Sequence, residues 1–241
     1  MQNFEQILNN TKRKNLMVIF PHPDDETFAS GGLLLEAKKY GWQTIVVILT
    51  KGGAGKIHID SQSKTLEEIR TNELAEAVNI LKVDHLVLGD FPDGGLRKKN
   101  AKWVLWLSSQ LDKFKPSLVV TYDNAGFTGH PDHIILSLEI KKLLEKRENV
   151  DLYWATSLED KFIKFVNIRL LKNLAKTTHE LNLDPTLLFS KWLAILKHKS
   201  QGYGKKYGLQ TLAYLFKNHF EWYHKVDLDV DYDYKFVKFD I

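Results

Sequence analysis

Between Asn15 and Ala155, short apolar runs alternate with longer stretches whose apolar residues recur at helical spacing. The runs are Leu16 to Phe20, Thr44 to Leu49, His85 to Leu88, Leu118 to Thr121 and Leu152 to Trp154. Each is short and bounded by polar, Gly or Pro residues, as strands buried on both faces are. Between them, Gly32 to Lys39, Leu66 to Leu81, Ala101 to Phe114 and His133 to Lys146 predict helices. In the second of these, Ile69, Leu74, Ala77, Val78 and Leu81 form one apolar stripe. Strand and helix in alternation predict βαβ units, whose right-handed crossovers give an α/β fold: a mostly parallel sheet with helices on both faces.

After Ala155 the alternation stops. Helices are expected over Lys164 to Lys176, Pro185 to His198 and Gln210 to Phe220, and an edge strand somewhere in Glu221 to Ile241, where aromatic and acidic residues partly alternate. The first of these helices reads as a surface helix packed on the sheet, with an interfacial membrane helix as its alternative. No repeat and no Pro/Gly/Ser-rich linker divides the chain. A single domain over 1–241 is expected, with a core sheet over 15–156 and a helical and edge-strand part over 160–241.

Composition narrows the chemistry. At 44% hydrophobic and 27% charged residues, the 241-residue chain has the make-up of a globular protein. It has no cysteine, which removes disulfides, thiolate metal sites and cysteine nucleophiles and leaves His, Asp and Glu as metal ligands. The N-terminus lacks the apolar region of a secretory signal, and no stretch approaches the ~18 apolar residues of a membrane span, so a cytoplasmic location is expected. The net charge of +4 is uneven: Lys161 to Lys217 carries eleven Lys and Arg against Glu180 and Asp184, a net +9. Such a segment attracts phosphorylated substrates, membrane surfaces or nucleic acid at long range, but a solvated basic face is the simpler reading. Nucleic acid is not an expected partner, peripheral membrane contact is not favoured, and oligomeric state is left open.

Two motifs carry chemistry. Phe20-Pro-His-Pro-Asp-Asp-Glu26 follows the first strand, and Gly129-His-Pro-Asp-His133 follows the fourth; each opens a helix. Ligands of open α/β sheets gather beyond the carboxyl ends of the strands, where both motifs fall. Proline after His22 and after His130 holds each histidine extended and makes each motif a rigid turn. Either motif alone is an ordinary turn with a capping Asp. Together they bring several ionisable side chains to one crevice, more than turn chemistry requires. A catalytic zinc takes three N/O ligands and keeps a position open, which a His/Asp/His set supplies, although not every carboxylate here can be a ligand. The glycine loop at Gly52 to Lys56 does not fit the phosphate-cradling pattern, and no Gly-x-Gly-x-x-Gly follows the first strand, so nucleotide binding is disfavoured. Lys51 in that loop is placed to meet an anionic substrate group.

On these residues the chain resembles the PIG-L/LmbE-like deacetylases, Rossmann-like zinc enzymes that hydrolyse N-acetyl groups on glucosamine-containing molecules. The first motif matches the family's Ala-His-Pro-Asp-Asp-Glu except for Pro21 in place of alanine; the second matches fully. Thr50-Lys-Gly-Gly-Ala-Gly55, Arg70 with Glu73, and Pro92-Asp-Gly-Gly95 stand where the family carries a glycine-rich loop, an Arg-x-x-Glu helix and a substrate-facing Asp. The resemblance implies His22, Asp25 and His133 as zinc ligands, Asp24 as general base, His130 as oxyanion stabiliser and Asp132 as the group orienting an imidazole. It implies Arg70 and Asp93 as contacts to sugar hydroxyls of an N-acetylated sugar or sugar conjugate. The match fades beyond about Glu159, apart from His198-Lys-Ser-Gln201, which resembles a late His-x-Ser-Gln element and suggests His198 as a substrate contact. Two His and one carboxylate also suit Fe(II). The alternative function is a catalytically inactive sugar-binding or membrane-surface module of the same fold; an intact Asp24 argues against it.

Overall fold

The computed structural model describes residues 1–61, 63–97, 102–157, 174–203 and 208–232. In chain order the described elements are β1 (Gln2–Asn3), α1 (Phe4–Asn10), β2 (Asn15–Phe20), α2 (Asp25–Lys39), β3 (Gln43–Thr50), α3 (Leu66–Ile80), β4 (His85–Phe91) and α4 (Lys102–Phe114). There follow β5 (Leu118–Tyr122), the short α5 (Gly126–Gly129), α6 (Pro131–Leu144), β6 (Asp151–Thr156), β7 (His179–Asn182), α7 (Pro185–Ile195), α8 (Gly208–Lys217) and β8 (Phe220–Lys225). Side chains define several helix starts. Thr65 and Glu68 close a capping box on α3, and Asp184 accepts from Thr186 and Leu187 ahead of Pro185 at the start of α7.

The strands form one sheet in the order β1-β7-β8-β6-β5-β2-β3-β4. From β6 to β4 all neighbours are parallel, as the alternating pattern predicts; β8 runs antiparallel to both β6 and β7. Both faces are covered. Along β2, Leu16, Val18 and Phe20 enter a layer with Leu33 and Leu34 of α2, Leu74 and Ala77 of α3, and Leu187 and Leu188 of α7. Met17 and Ile19 enter the opposite layer with Trp103 and Leu107 of α4 and Leu136 and Ile140 of α6. This two-sided burial is why the central strands read as continuous apolar runs.

The topology also locates the crevice. β2 lies between β3 and β5, and the helices after β2 and β5 depart to opposite faces. Chains leaving adjoining strands in opposite directions open a cleft at the strands' carboxyl ends. Both His-Pro-Asp motifs border that cleft.

Three expectations shift. α2 begins at Asp25, seven residues before the expected Gly32, because Ser30-Gly31-Gly32 continues the helix instead of breaking it. Gly32 serves close packing: a Cβ there would lie 2.4 Å from Leu183 Cδ2 and 2.9 Å from Glu221 Oε1. Of the stretch Glu221 to Ile241, where an edge strand is expected, residues 233–241 lie outside the described residues; the described ones form β8, which lies inside the sheet, between β6 and β7. Its Glu221 is buried in an ion pair with Lys191, so an acidic residue there did not mark exposure. β1, α1 and β7 were not anticipated; β1 and β7 are too short, at two and four residues, to show a period. The helix expected over Lys164 to Lys176 falls, but for its last three residues, outside the described residues. No helix among the described residues is long and apolar enough to cross a membrane.

Candidate active site

Beyond Phe20 the chain is tied to β3 by the Thr50 N–H, which donates to Pro21 O at 2.9 Å. It then makes an abrupt turn at Asp24, with φ 103° and ψ −31°, and enters α2. The Asp24 carbonyl accepts the Thr27 and Phe28 N–H groups, both at 3.1 Å, and so starts the helix. At the end of β5, the buried Asp123 carboxylate accepts the Phe127 N–H and the Thr156 hydroxyl, each at 3.0 Å, fixing the turn into α5. Gly126 has φ 66°, and a Cβ there would lie 2.6 Å from Ile134 Cγ1. His130 then caps α6, its Nδ1 accepting the Asp132 N–H at 3.2 Å, with Pro131 in the first helical position.

These two turns bring three buried ligand-type atoms together. His22 Nδ1 lies 3.3 Å from His133 Nε2 and 3.4 Å from Asp25 Oδ2; His133 Nε2 lies 3.5 Å from the same Asp25 oxygen. A tetrahedral zinc with bonds of about 2.0–2.1 Å separates its ligands by about 3.3–3.4 Å, so this triangle fits the ion. Each corner is braced. His133 Nδ1 faces Gly126 O at 3.0 Å, leaving Nε2 toward the triangle, and its ring stacks on Tyr122 at 4.4 Å and 8°. The Tyr122 hydroxyl donates to Asp25 Oδ1 at 2.8 Å. Such partners set tautomer and direction in metal sites.

The other edge of His22 faces acids. Its Nε2 is 3.0 Å from Asp93 Oδ1 and 3.4 Å from Asp132 Oδ2. Fully buried Asp132 also accepts the Gly94 N–H at 2.8 Å and the Leu96 N–H at 3.3 Å, drawing the turn after β4 to the site. Asp93 Oδ2 accepts the Ala54 N–H at 2.9 Å, which ties that turn to the glycine-rich loop. Ligand atoms of His22, His130 and His133, and likewise of His22, Asp93 and Asp132, lie within 4.8 Å of one another. His22 is common to every grouping.

Charge is divided unevenly across the cluster. Burial pushes Asp24 up to about 7, with Asp25 and Glu26 adding to it and Arg70 opposing. Burial acts the same way on Asp25, but His133, His22 and the Tyr122 hydroxyl hold it well below the usual carboxylate range. For Asp93, contact with His22 outweighs burial and brings it down to about 2. Burial and the neighbouring His22 keep His133 at about 4 and lower His130 as well. His22 is the exception among the three rings: burial would lower it, yet Asp132, Asp25 and Asp93 raise it well above its ordinary value.

Asp24 is held from two sides. Arg70, buried on α3, places Nη2 3.2 Å from Asp24 Oδ1 and on Pro23 O, and Nη1 3.1 Å from Gly52 O. At its backbone, the Asp24 N–H donates to Glu26 Oε2 at 3.0 Å. The structure thus brings His22, Asp24, Asp25, Arg70, Asp93, His130, Asp132 and His133 into one neighbourhood.

Two expected substrate contacts stand elsewhere. Lys51 Nζ pairs with Asp90 of β4 at 2.7 Å, because Asp90 is the nearer acid across the strand ends. His198 is completely buried and faces Glu26 and Thr27, so it stands behind the motif and does not line its opening. Sequence reasoning gave no role to Glu26, Tyr122, Asp123 or Glu73, whose carboxylate accepts the Ser200 N–H and hydroxyl, both at 2.7 Å. Glu26 was visible within the first motif; a polar residue ending an apolar run was the signal at Tyr122 and Asp123.

A family model described as PIG-L, GlcNAc-PI de-N-acetylase, matches residues 17–144. A 1D-myo-inositol 2-acetamido-2-deoxy-alpha-D-glucopyranoside deacetylase of Catenulispora acidiphila is 30% identical over 148 residues, which cover 52% of this chain and 46% of the relative. The chain spans about half the length of the curated relatives it matches. An N,N'-diacetylchitobiose deacetylase from Pyrococcus horikoshii superposes with a TM-score of 0.69 at 18% identity, covering 95% of this chain and 94% of that one. A 4-carboxy-2-hydroxymuconate hydratase from Pseudomonas putida also superposes, with a TM-score of 0.65 at 15% identity over 91% of this chain and 99% of that one. One fold therefore carries different reactions, and the site has to argue the chemistry.

Proposed function

Because the chain belongs to the PIG-L, GlcNAc-PI de-N-acetylase family, we propose that it is a zinc-dependent hydrolase removing an N-acetyl group from an N-acetylglucosamine-containing sugar or conjugate. The observation that carries this reading is the triangle of His22 Nδ1, Asp25 Oδ2 and His133 Nε2, with edges of 3.3, 3.4 and 3.5 Å, beside the Asp24 carboxylate. These three side chains would hold the metal. The chemistry a zinc ion supplies when bound is a water that ionises near neutral pH and a polarised acyl carbonyl.

The remaining roles belong to the chain's own groups. Asp24 takes a proton from the attacking water as the oxygen adds to the acyl carbon, and returns it to the departing nitrogen as the C–N bond breaks, giving acetate and an amine. His130 accepts the Asp132 N–H at Nδ1, so its neutral ring carries the proton on Nε2 and can donate it to the developing oxyanion. Asp132 and Asp93 orient His22, and Arg70 fixes the Asp24 carboxylate. Arg70 and Asp93 are also assigned, on the family resemblance, to contacts with sugar hydroxyls.

Purified protein given one equivalent of zinc is expected to release acetate from at least one member of a panel of N-acetylglucosamine derivatives. Chelation should stop the release and added zinc restore it. A fully zinc-loaded protein that releases acetate from none of them would sink the proposal.

Zinc binding is also expected to release protons at pH 7. The sign follows from His22, whose raised pKa favours its protonated form in the metal-free chain, and from Asp24 at about 7, which a neighbouring cation pushes toward its ionised form; His133, at about 4, and Asp25, lower still, have nothing to lose. Zinc affinity should therefore rise with pH until His22 is deprotonated. Calorimetry in two buffers of different ionisation enthalpy reads the proton count directly; identical heats in both would contradict His22 as a ligand that must first shed its proton.

A further inference from the structure

Asp24 occupies a backbone conformation that an L-residue with a side chain rarely adopts, φ 103° and ψ −31°. Such a conformation is strained and persists only where its surroundings determine it. Arg70 holds the carboxylate and the peptide before it; the Asp24 carbonyl is committed to α2. The remaining group is the Asp24 N–H, and its acceptor is Glu26 Oε2 at 3.0 Å. Glu26 is fully buried, and its other oxygen lies 2.5 Å from the Thr27 hydroxyl and 3.3 Å from His198 Nε2. His198 is fully buried too, and Nε2 lies 3.3 Å from Thr27 Oγ1 as well. Its Nδ1 has no hydrogen-bond partner among the described residues, so its polar contacts all lie on the Glu26 side.

We propose that Glu26 and His198 form a positioning pair for Asp24, in which a histidine from the helical C-terminal part clamps the carboxylate that holds the base's backbone amide. The placement of His198 is itself built. The Ser200 N–H and hydroxyl dock on Glu73, the Ser200 carbonyl accepts the His58 N–H at 2.8 Å, and the Gln201 amide donates to Lys56 O at 3.3 Å. The His-Lys-Ser-Gln element is thereby fastened to α3 and to the glycine-rich loop, with His198 directed inward at Glu26. The C-terminal part therefore acts on the base from behind, through a second residue, and touches no reacting atom.

Two physical arguments support the pair. A buried carboxylate without a donor or cation is strongly disfavoured, and with Asp24 and Asp25 adjacent, Glu26 needs such a partner more than an isolated acid does. Displacing a reacting group by about 1 Å can cost on the order of 10²-fold in rate, so an amide bond that fixes the turn at Asp24 acts on kcat more than on KM.

The inference rests on Asp24 being the base of the proposed hydrolase, and the test separates the two. Glu26→Ala and His198→Ala are compared with the conservative Glu26→Gln and His198→Gln in kcat, KM, zinc affinity by chelator competition, melting temperature and crystal structure. Both alanine variants are expected to lose about 10–100-fold in kcat, with KM and zinc affinity within about threefold of wild type, a bound that leaves such a loss resolvable. Each glutamine variant should recover at least half of that loss on a logarithmic scale, because it restores an acceptor for the Asp24 N–H or a donor to Glu26. In the Glu26→Ala crystal structure, Asp24 should leave φ 103°, a readout that needs no activity and stands if the wild type proves to hydrolyse no N-acetyl sugar. The pair is overturned if Asp24 keeps its conformation in both alanine variants, or if kcat falls only in step with melting temperature and zinc affinity.

Discussion

Asp24→Asn is expected to lower kcat about 10²–10⁴-fold, the range over which a positioned general base contributes, while zinc content and fold are retained. Asparagine keeps an oxygen for the Arg70 contact now 3.2 Å from Asp24 Oδ1, and the backbone N–H stays available to Glu26. What is removed is the proton acceptor, together with the negative charge that faces Arg70. Melting temperature should change little, because two effects oppose each other: the buried Arg70 guanidinium loses its anionic partner, while a carboxylate no longer has to be held desolvated. Burial already pushes the Asp24 carboxyl up to about 7, which means that its ionised form is disfavoured in place. Asparagine carries no charge to bury, and it tolerates positive φ better than most residues. A variant of near wild-type stability but far slower is the pattern of a base held in a strained, desolvated site. Retention of more than a tenth of wild-type kcat would remove Asp24 from the proton-transfer role, and loss of zinc would show that it serves the metal instead.

The sheet was legible because its central strands are buried on both faces. In β2, Leu16 through Phe20 are all fully buried, so every position is apolar and the run stands out against its polar flanks. The same logic failed where burial was satisfied by polar pairing. Glu221 is buried on β8, yet it reads as a surface acid because the ammonium that neutralises it comes from Lys191, thirty residues earlier. β7 and β1 are held by neighbours on both sides or at the rim, and with so few residues no period can develop.

The site divides along a similar line. His22, Asp24, Asp25, His130, Asp132 and His133 come from two short motifs placed by single strand ends, so sequence proximity already implied spatial proximity. Tyr122 escaped notice because a tyrosine closing an apolar run is ordinary, and only the fold shows it stacked on His133 and bonded to Asp25. Lys51 was read from its place in a loop, where any cation looks available. That reading could not see Asp90 arriving 2.7 Å away on the next strand. The late His-Lys-Ser-Gln element suggests His198 as a substrate contact, and the structure places it beside the first motif from inside the protein, against Glu26, which is a tertiary fact.

Lys191→Met is expected to be the most destabilising of these single changes, at about 3–5 kcal/mol, the usual cost of stranding one member of a buried ion pair. Lys191 Nζ lies 2.6 Å from Glu221 Oε1 and donates to Phe28 O at 2.8 Å, with both side chains about 95% buried. Glu221 also accepts the Gly32 and Leu33 N–H groups from within α2, at 2.7 and 2.8 Å, and the Tyr223 hydroxyl at 2.7 Å. Methionine would leave that carboxylate hydrogen-bonded but without its cation, and would also remove the ammonium donor from the Phe28 carbonyl. For a domain of this size the loss corresponds to a melting temperature lower by about 6–20 °C. Adding Glu221→Gln, which keeps an acceptor for the two amides and removes the charge, should recover a substantial part of the loss, so that the double variant is more stable than the sum of the single changes. Urea denaturation of wild type, both single variants and the double variant measures this coupling. At 20 °C, where Lys191→Met is still folded, its kcat should remain near wild type, because the pair braces α2 without touching the Asp24 amide. That separates it from His198→Ala, whose expected loss is in rate. A Lys191→Met variant less than 1 kcal/mol below wild type would mean that the hydrogen bonds from α2 alone hold the buried carboxylate, and that the lysine is a passive neighbour.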